Sequence, residues 1–229
     1  GKLNNKDMKT NVCYQGDCLE VMKSIPDKSI DMICIDPPYS TPTVTSFGRK
    51  KVLNLADLSI QEYYFRSVKS EMERILKQNG RVFIFCDDKY YPILFAVFYD
   101  WQNKNLVIWD KGRIGMGNPF RKQHELIFYI NRETYQYRKT GNITHYPTVL
   151  KYKHDKDKQH GAQKPINLIE DLISGFSEEN DVILDCFAGS GTTLLASKNL
   201  NRQYVGIELS PEYCDIIKER VGCEIIKEI

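Results

Sequence analysis

The residues best suited to chemistry form the tetrapeptide Asp36-Pro37-Pro38-Tyr39, which directly follows an apolar run at residues 31–35. Such a run is typical of a buried strand, so we expect the tetrapeptide at the end of a strand. The Asp36 carboxylate can accept a hydrogen bond from an amino group. A backbone carbonyl held by the Pro37-Pro38 pair can accept a second one, because proline fixes φ.

This arrangement suits a planar amino group on a nucleobase. The nitrogen of such a group is a poor nucleophile because its lone pair is delocalised into the ring. Two acceptors aimed at its two hydrogens draw the nitrogen toward tetrahedral geometry, and Tyr39 can stack on the ring. Such chemistry needs preorganised positioning and electrostatics rather than a general base of high pKa. The alternative is an ordinary surface turn, which the preceding apolar strand disfavours.

A second candidate site follows the apolar run at residues 182–184, where Asp185 leads into a glycine-rich turn and then a helix. Gly189 and Gly191 permit left-handed backbone and close approach of a ligand. Glu208 ends the next predicted strand, about twenty residues past Gly189, where an acidic side chain can accept both hydroxyls of a ribose. The pattern therefore predicts a site for a nucleoside-bearing cofactor.

The glycine turn differs from two common phosphate-binding loops. No Lys follows the glycines, as the G-x-x-x-x-G-K-[ST] loop requires. Leu194 stands where a G-x-G-x-x-G motif has its third glycine. A tight strand-to-helix turn without a ligand is the structural alternative.

Length and composition are those of a globular protein. The 229 residues fit one domain with insertions, and 41% hydrophobic and 27% charged residues are ordinary values. No apolar run approaches the roughly 18 residues of a membrane helix, and no signal-peptide pattern occurs, so we expect a cytoplasmic protein without membrane contact. The seven cysteines include no C-x-x-C pair, which argues against a zinc site and a disulfide framework. The four histidines are too dispersed to suggest any metal site.

Positive charge is concentrated in one segment. Residues 104–164 hold 13 Lys and Arg against 5 Asp and Glu, a local net of +8, although the whole chain has a net charge of only +2. A basic segment on an acidic body is typical of a surface that faces phosphate, and a solvated charged face is the alternative. The candidate DNA contacts are Lys111, Arg113, Arg121, Lys122, Arg138, Lys139, Lys151 and Lys153.

Alternating strands and helices predict a mostly parallel sheet covered on both faces. The predicted strands are Val12–Gln15, Ile30–Ile35, Arg81–Cys86, Asn105–Trp109, Glu125–Ile130, Val182–Asp185 and Gln203–Ile207. Helices are predicted near residues 19–25, 59–78, 87–98, 165–175, 192–200 and 211–221. We predict a loop from Ser40 to about Leu58. We also predict a single domain over residues 1–229 with a basic insertion at about 110–163.

Together with the tetrapeptide, the run Phe187-Ala188-Gly189-Ser190-Gly191 resembles the motifs of the S-adenosylmethionine-dependent amino-methyltransferases of DNA. Because the catalytic motif comes first, the chain resembles the permuted β group of that family. His160-Gly161-Ala162-Gln163-Lys164-Pro165 is similar to the group's H-P-T-Q-K-P box beside the methionine moiety, with departures at Gly161 and Ala162. Gly16-Asp17-Cys18 resembles a G-D segment near the cofactor adenine.

The resemblance implies an α/β fold, with a seven-strand, mostly parallel, Rossmann-like methyltransferase sheet that has one antiparallel strand and helices on both faces. It implies S-adenosylmethionine as cofactor, S-adenosylhomocysteine as product, no metal, and target recognition between His124 and His160. The implied catalytic residues are Asp36, Pro37, Pro38 and Tyr39. The implied cofactor contacts are Asp17, Cys18, Asp36, Lys164, Asp185, Phe187, Ala188, Gly189, Ser190, Gly191, Thr192 and Glu208.

The resulting hypothesis is methyl transfer to the N6 amino group of adenine at a specific sequence in double-stranded DNA, after base flipping. Within the family, Asp at the first motif position more often accompanies adenine and Ser cytosine. Asp36 therefore favours adenine and leaves N4 of cytosine as an alternative. A nucleic-acid-binding module with a degenerate fold is a second alternative, disfavoured by the intact motif residues. A cognate restriction enzyme as partner, and the choice between monomer and homodimer, stay open.

Overall fold

The computed structural model describes residues 8–38, 44–47, 51–54, 58–115, 119–132, 146–153 and 163–227. The predicted site residues Tyr39, Arg138 and Lys139 lie outside these ranges. The strands are β1 (Val12–Gln15), β2 (Ile30–Ile35), β3 (Val44–Phe47), β4 (Lys51–Asn54), β5 (Leu76–Cys86), β6 (Asn103–Asp110), β7 (His124–Asn131), β8 (Val149–Lys151), β9 (Val182–Asp185), β10 (Gln203–Glu208) and β11 (Glu224–Lys227). The helices are α1 (Cys18–Ser24), α2 (Leu58–Ile75), α3 (Tyr91–Val97), α4 (Ile166–Phe176), α5 (Thr192–Asn199) and α6 (Pro211–Val221).

Nine of these strands form one sheet, in the order β11-β1-β10-β9-β2-β5-β7-β6-β8, and β3 pairs with β4 in a separate hairpin. Strand β7 is antiparallel to both of its neighbours, whereas the other pairings of the described sheet are parallel. The predicted mostly parallel sheet with one antiparallel strand is therefore confirmed. The prediction of seven strands is wrong by two, because the short strands β8 and β11 add to the sheet where the sequence has weak apolar patterns.

Alternating side chains give the sheet two apolar faces. On β2, Ile33 and Ile35 belong to the core shared with α1, α2 and α3, whereas Met32 and Cys34 belong to the core shared with α4 and α5. A third cluster packs α5 and α6, through residues such as Ile217, against the strands at the β1 end. Helices thus cover both faces of the sheet, as predicted.

The boundary between α2 and β5 differs from the prediction. Strand β5 begins at Leu76, whereas the sequence predicts a helix that continues to about residue 78. The early start is accommodated by a register shift, since Ile30 pairs with Leu76 but Met32 pairs with Arg81. Gly80 suits this irregular stretch because an added Cβ would come within 2.6 Å of the Leu76 side chain.

The hairpin of β3 and β4 lies within the segment that the sequence predicts to be a loop, so that prediction is wrong for these two strands. Their Lys, Asn, Ser and Thr residues weaken the apolar pattern that would indicate strands. Among the described helices, none has the length and apolar character needed to cross a membrane.

Candidate active site

The carboxyl ends of parallel strands bring the two predicted motifs to one edge of the sheet. Strand β9 lies between β10 and β2, so Asp36, Asp185 and Glu208 follow or end three adjacent strands. The turn after β9 is tied to β10 by a hydrogen bond of 2.9 Å from the Ala188 N–H to the Ile207 carbonyl oxygen. The predicted amino-group turn and the glycine turn are therefore neighbours, although they are distant in the chain.

Asp36 forms an ion pair with Lys164, whose Nζ lies 2.9 Å from Asp36 Oδ2. The same Nζ donates a hydrogen bond of 2.7 Å to Glu125 Oε2. One ammonium group thus bridges two carboxylates, and the Lys164 side chain is only 12% exposed. Pro37 is buried directly after Asp36, so this backbone is held against the protein interior.

Burial raises the pKa of Asp36, while the Lys164 charge opposes this rise and Glu125 adds to it. Burial acts to lower the pKa of Lys164, but the two carboxylates outweigh burial and leave that pKa raised. The Lys164 ammonium also lies 5.4 Å from the centre of the Phe85 ring and 5.8 Å from that of Trp109, distances at which aromatic faces attract cations. The positive charge of Lys164 is therefore retained in a largely buried position.

Glu125 is absent from the site that the sequence predicts. It lies near the amino end of β7. Because β7 is antiparallel to its neighbours, this end meets the carboxyl ends of β5 and β6. The resemblance implies one antiparallel strand without saying which strand it is, so the sequence carries no direct signal that brings Glu125 to the site. Glu125 Oε1 also lies 3.6 Å from Lys111 Nζ.

Gly189 and Gly191 both have positive φ, +51° and +80° respectively, a conformation that glycine adopts without strain. A side chain at Gly191 would meet Ile217 of α6 at 3.0 Å, so this glycine allows α6 to pack against the turn. At Gly189 the nearest atom to an added Cβ is 3.9 Å away. Gly189 therefore has an open side at which a ligand can approach the backbone.

The Glu208 carboxylate is fixed beside this open position. The Gly189 N–H donates to Glu208 Oε2 at 2.7 Å, and the Ser210 N–H donates to Oε1 at 2.8 Å. Burial raises the pKa of Glu208, while these backbone N–H groups oppose the rise. Each carboxylate oxygen has a second acceptor position, so Glu208 retains capacity for two hydroxyl groups.

Asp185 supports the glycine turn from within the protein. Its side chain is almost fully buried and accepts a hydrogen bond of 3.0 Å from the Phe187 N–H. Burial raises the pKa of Asp185 to about 7, with Asp36 and Glu208 adding to the rise and hydrogen bonds from Thr193 and Phe187 opposing it. Asp185 therefore shapes the turn, while Glu208 is the more accessible carboxylate.

Arg220 on α6 is a second site residue that the sequence does not predict. Its Nη1 donates to Thr192 Oγ1 at 2.8 Å and lies 3.1 Å and 3.2 Å from the carbonyl and hydroxyl oxygens of Ser190. The predicted cofactor residues Ser190 and Thr192 are thus held by a helix that follows them in the chain. A single arginine on an amphipathic helix carries no sequence signal that separates it from a solvated one.

Asp17 reaches the same sheet edge, because the Gly16 N–H donates to the Glu208 carbonyl oxygen at 3.0 Å. The Asp17 side chain caps α1 by accepting from two N–H groups of its first turn. Cys18 is buried, and its sulfur lies 2.8 Å from the Tyr64 hydroxyl oxygen. The Cys18 thiol therefore belongs to the core, which leaves its backbone for the predicted cofactor contact.

Predicted DNA contacts lie around the carboxyl ends of β6 and β8. Lys151 is paired in register with Asp110, the last residue of β6. Arg113, Arg121 and Lys153 are exposed. These basic side chains share one end of the sheet with Asp36, but on the β6–β8 side.

Two of the predicted DNA contacts already face carboxylates. Lys111 lies beside Glu125, and its side chain is only 18% exposed. Lys122 forms an ion pair with Asp88, which lowers the pKa of that carboxyl group. Lys111 is thus better placed to neutralise Glu125 than to reach a phosphate.

Within the described ranges, no group of three or more His, Cys, Asp or Glu side chains is arranged to hold a metal ion. All seven cysteines lie in these ranges as buried free thiols. Burial raises the pKa of Cys34 and Cys86, so these two thiols stay protonated at neutral pH.

Comparison with known proteins places this architecture among methyltransferases. Residues 30–219 match the model of the N6/N4 methyltransferase family, which is described as DNA methylase. The type II methyltransferase M.HinfI of Haemophilus influenzae is 29% identical, over 92% of this chain and 68% of its own length.

Two solved structures share the fold. A Thermus thermophilus protein, described as a candidate DNA modification methylase and complexed with S-adenosyl-L-methionine, has a TM-score of 0.73 at 23% identity, covering 95% of this chain and 98% of that one. PvuII DNA methyltransferase, described as cytosine-N4-specific, has a TM-score of 0.73 at 18% identity, covering 96% and 97%. The predicted methyltransferase fold is therefore confirmed.

Proposed function

The chain belongs to the N6/N4 family of DNA methylases, and we propose that it transfers a methyl group from S-adenosylmethionine to the N6 amino group of adenine at a specific sequence in double-stranded DNA. The observation that carries this proposal is the position of Asp36, which follows the strand next to the glycine turn, where the Gly189 N–H donates to Glu208 at the end of β10. An acceptor for an amino group and a turn suited to a nucleoside occupy adjacent strand ends. This arrangement suits direct transfer between two bound molecules.

Asp36 and the two prolines supply the groups that hold the amino nitrogen. Asp36 Oδ2 faces Lys164 at 2.9 Å, which leaves Oδ1 for one amino hydrogen. A carbonyl oxygen of the Pro37-Pro38 pair, in backbone of restricted φ, is suited to the second. Two fixed acceptors favour the tetrahedral nitrogen over the planar one, so their effect is greatest in the transition state.

The same carboxylate can also accept the proton that the amino group loses. The amino nitrogen would form the new N–C bond as the bond between the methyl carbon and the donor's sulfur breaks, with the electron pair left on sulfur. One amino hydrogen would then leave as a proton. Asp36 is placed to accept this proton, and burial, which raises the pKa of Asp36, makes brief protonation easier. The Asp36 side chain is 31% exposed, so the proton can pass to water. Lys164 restores the ionised carboxylate because its positive charge opposes the effect of burial.

Glu208 and Gly189 fit the ribose of S-adenosylmethionine. The Glu208 carboxylate is fixed by two N–H groups and can accept both ribose hydroxyls, and the open side of Gly189 leaves room for the nucleoside. When bound, S-adenosylmethionine would supply a methyl group activated by a positively charged sulfur. The contact between Lys164 and the methionine moiety stays a prediction, and such a contact would share the Lys164 ammonium with Asp36 and Glu125.

The choice of adenine depends on Asp36 at the first motif position. N4 of cytosine is the second candidate, because the PvuII enzyme of that specificity has the same fold. Base flipping follows from the need to bring a paired amino group to Asp36. The proposal has further parts that concern the whole protein. They are target recognition by residues 110–163, the permuted motif order within one domain, cytoplasmic location, action as monomer or homodimer, and pairing with a restriction enzyme.

Expression of the chain in cells that lack DNA methylation tests the proposal. We expect nucleoside mass spectrometry to detect N6-methyladenine, and methylation-sensitive sequencing of plasmid DNA to place it at one recurring sequence. Asp36→Ala should lower the single-turnover rate about a hundredfold to a thousandfold, as loss of one preorganised electrostatic partner commonly does. Asp100→Ala, which changes an exposed carboxylate paired with Lys69, is the matched control. N4-methylcytosine would support the second candidate, and folded protein that forms neither base would contradict both.

A further inference from the structure

Residues 111–115 after β6 and residues 119–123 before β7 continue the pairing of these two strands at the sheet edge that holds Asp36. Beyond the last strand pair, the Lys111 N–H donates to the Gln123 carbonyl oxygen at 2.9 Å, and the Gly115 N–H donates to the Lys122 carbonyl oxygen at 2.8 Å. Arg121 Nε also donates to the Gly115 carbonyl oxygen at 2.8 Å. We call residues 111–115 and 119–123 the β6–β7 finger. These hydrogen bonds hold together the two backbone segments that carry the finger's side chains.

The finger exposes two large apolar side chains. Phe120 is 90% exposed and Ile114 is 59% exposed. Exposed aromatic side chains on an ordered, polar segment are a feature of binding surfaces, because they contribute most when a partner covers them. Packing within the described part of the chain does not explain Phe120.

Basic residues stand next to these apolar residues in the chain. Arg113, Arg121 and Lys122 are exposed on the finger, and Lys153 is exposed on the neighbouring segment after β8. Asp88 balances one of these charges through its pair with Lys122. An aromatic ring between cationic groups complements a nucleic acid, which offers stacked bases between phosphates.

The finger begins close to the amino-group site. Lys111, at its base, lies 3.6 Å from Glu125, which accepts a hydrogen bond from the same Lys164 that pairs with Asp36. Phe120 precedes Gln123 by three residues, which corresponds to about 11 Å at full extension. A duplex whose target base reaches Asp36 would therefore pass within reach of Phe120.

We propose that Phe120 inserts into the DNA duplex beside the target base and fills the space that the extruded base leaves. This inference rests on the proposed function, because it assumes a base brought to Asp36. Apolar wedges that enter between base steps stabilise distorted duplexes in other DNA-binding proteins. Arg113 and Arg121 contact the flanking phosphates and orient the ring.

DNA is a better partner for this surface than a second copy of the chain. Two fingers facing one another would bring the Arg113 and Arg121 groups of both copies together, and like charges across an interface oppose association. In a complex with DNA, the backbone phosphates would instead neutralise these cations. The charge of the finger thus favours the duplex.

Single-turnover methylation by Phe120→Ala on two matched duplexes tests the inference. Both duplexes carry the site found by plasmid sequencing, and the second has an abasic position opposite the target base, so that this base is already unpaired. We expect Phe120→Ala to lose about tenfold or more in rate on the intact duplex, because opening the pair requires unstacking. The rate on the abasic duplex should stay within about twofold of the wild type, because little opening remains to be done. Phe120→Trp should retain activity on both.

Tyr99→Ala is the matched control, because Tyr99 is 75% exposed and lies just before β6 starts, at the opposite edge of the sheet. Equal rates of Phe120→Ala and wild type on the intact duplex would overturn the inference. Equal losses of rate on both duplexes would also overturn it, because the ring would then contribute to a step other than base opening. Sedimentation that shows a dimer lost in Phe120→Ala, with unchanged transfer, would assign the ring to contact between copies. Wild-type protein that methylates no DNA would refute the proposed function itself.

Discussion

Asp36 is a carboxylate that burial disfavours and a neighbouring charge stabilises. An isolated buried carboxylate tends to take up a proton, because charge is costly away from water. Lys164 offsets this cost, and Glu125 in turn offsets the cost of burying the Lys164 ammonium. Lys111 lies beyond Glu125, so four charges of alternating sign run from the site toward the β6–β7 finger.

Lys164→Gln should move the acid limb of the rate profile to higher pH. The groups facing Asp36 are Lys164 before α4, Glu125 on β7 and Asp185 at the end of β9. The Lys164 charge opposes the rise in the pKa of Asp36, so its removal raises that pKa further. Ionised Asp36 would then be available only at higher pH. The measurement is the rate of single-turnover transfer with saturating cofactor, from about pH 5 to about pH 9. It shows whether the acid limb has moved.

Lys69→Gln is the matched control for that experiment. The Lys69 side chain is 14% exposed and also lies between two carboxylates, those of Glu73 and Asp100. It is remote from Asp36, so the acid limb should stay unchanged. A rate that falls equally at every pH in Lys164→Gln would show that Lys164 does not control the ionisation of Asp36.

At the scale of elements, strands with strong apolar runs could be predicted and weakly patterned ones could not. The run at 31–35 and the run at 182–185 are buried strands in the structure. Strand β8 has three residues with one buried side chain, Leu150, which is too short for a periodic signal. The early start of β5 depends on its pairing with β2, which is distant in the chain, so no local pattern predicts it.

The site also contains residues that could be predicted and residues that could not. Local motifs at the ends of strands predict Asp36, Gly189 and Glu208. The bridge from Lys164 to Glu125 joins residues 39 positions apart, and no local pattern encodes such a contact. Arg220 likewise depends on how α6 packs against the glycine turn.

Arg220→Ala should weaken cofactor binding without direct loss of a ligand contact. Arg220 holds Ser190 and Thr192 in place, and net hydrogen-bond energies of about 1 kcal/mol correspond to an affinity loss of about fivefold to tenfold. Calorimetric titration of the folded variant with S-adenosylmethionine measures this loss. Arg66→Ala, which removes an exposed arginine paired with Glu62, should bind like the wild type. Unchanged affinity in Arg220→Ala would show that the turn does not need this contact with α6 to bind the cofactor.

At the scale of the whole molecule, the described sheet separates two tasks. The strands β1, β9 and β10 carry Glu208 and the glycine turn, and β6, β7 and β8 carry the basic finger and its neighbours. Strand β2, with Asp36 at its end, lies between them. The two proposed substrates would therefore approach Asp36 from opposite sides.

DNA binding should fall steeply with salt, because phosphate contacts release counterions. Replacing Lys151 and Lys153 by Gln should lower the magnitude of the logarithmic salt slope by about 1 for each phosphate contact removed. Fluorescence titrations of duplex DNA at several salt concentrations measure the slope. Lys23→Gln with Lys77→Gln is the control pair, because Lys23 lies in the last turn of α1 and Lys77 at the amino end of β5. A slope that Lys151 and Lys153 do not change would place the phosphate contacts elsewhere.

The sheet order also has a consequence for the synthesis of the chain. Strand β1 is the first described strand to leave the ribosome, yet its partners β10 and β11 are the last. The strands from β2 to β8 can pair with one another once residue 151 has emerged, whereas β1 must wait without its neighbours. We therefore expect the half that holds Asp36 to become protease-resistant on ribosome-bound chains before the half that holds Glu208.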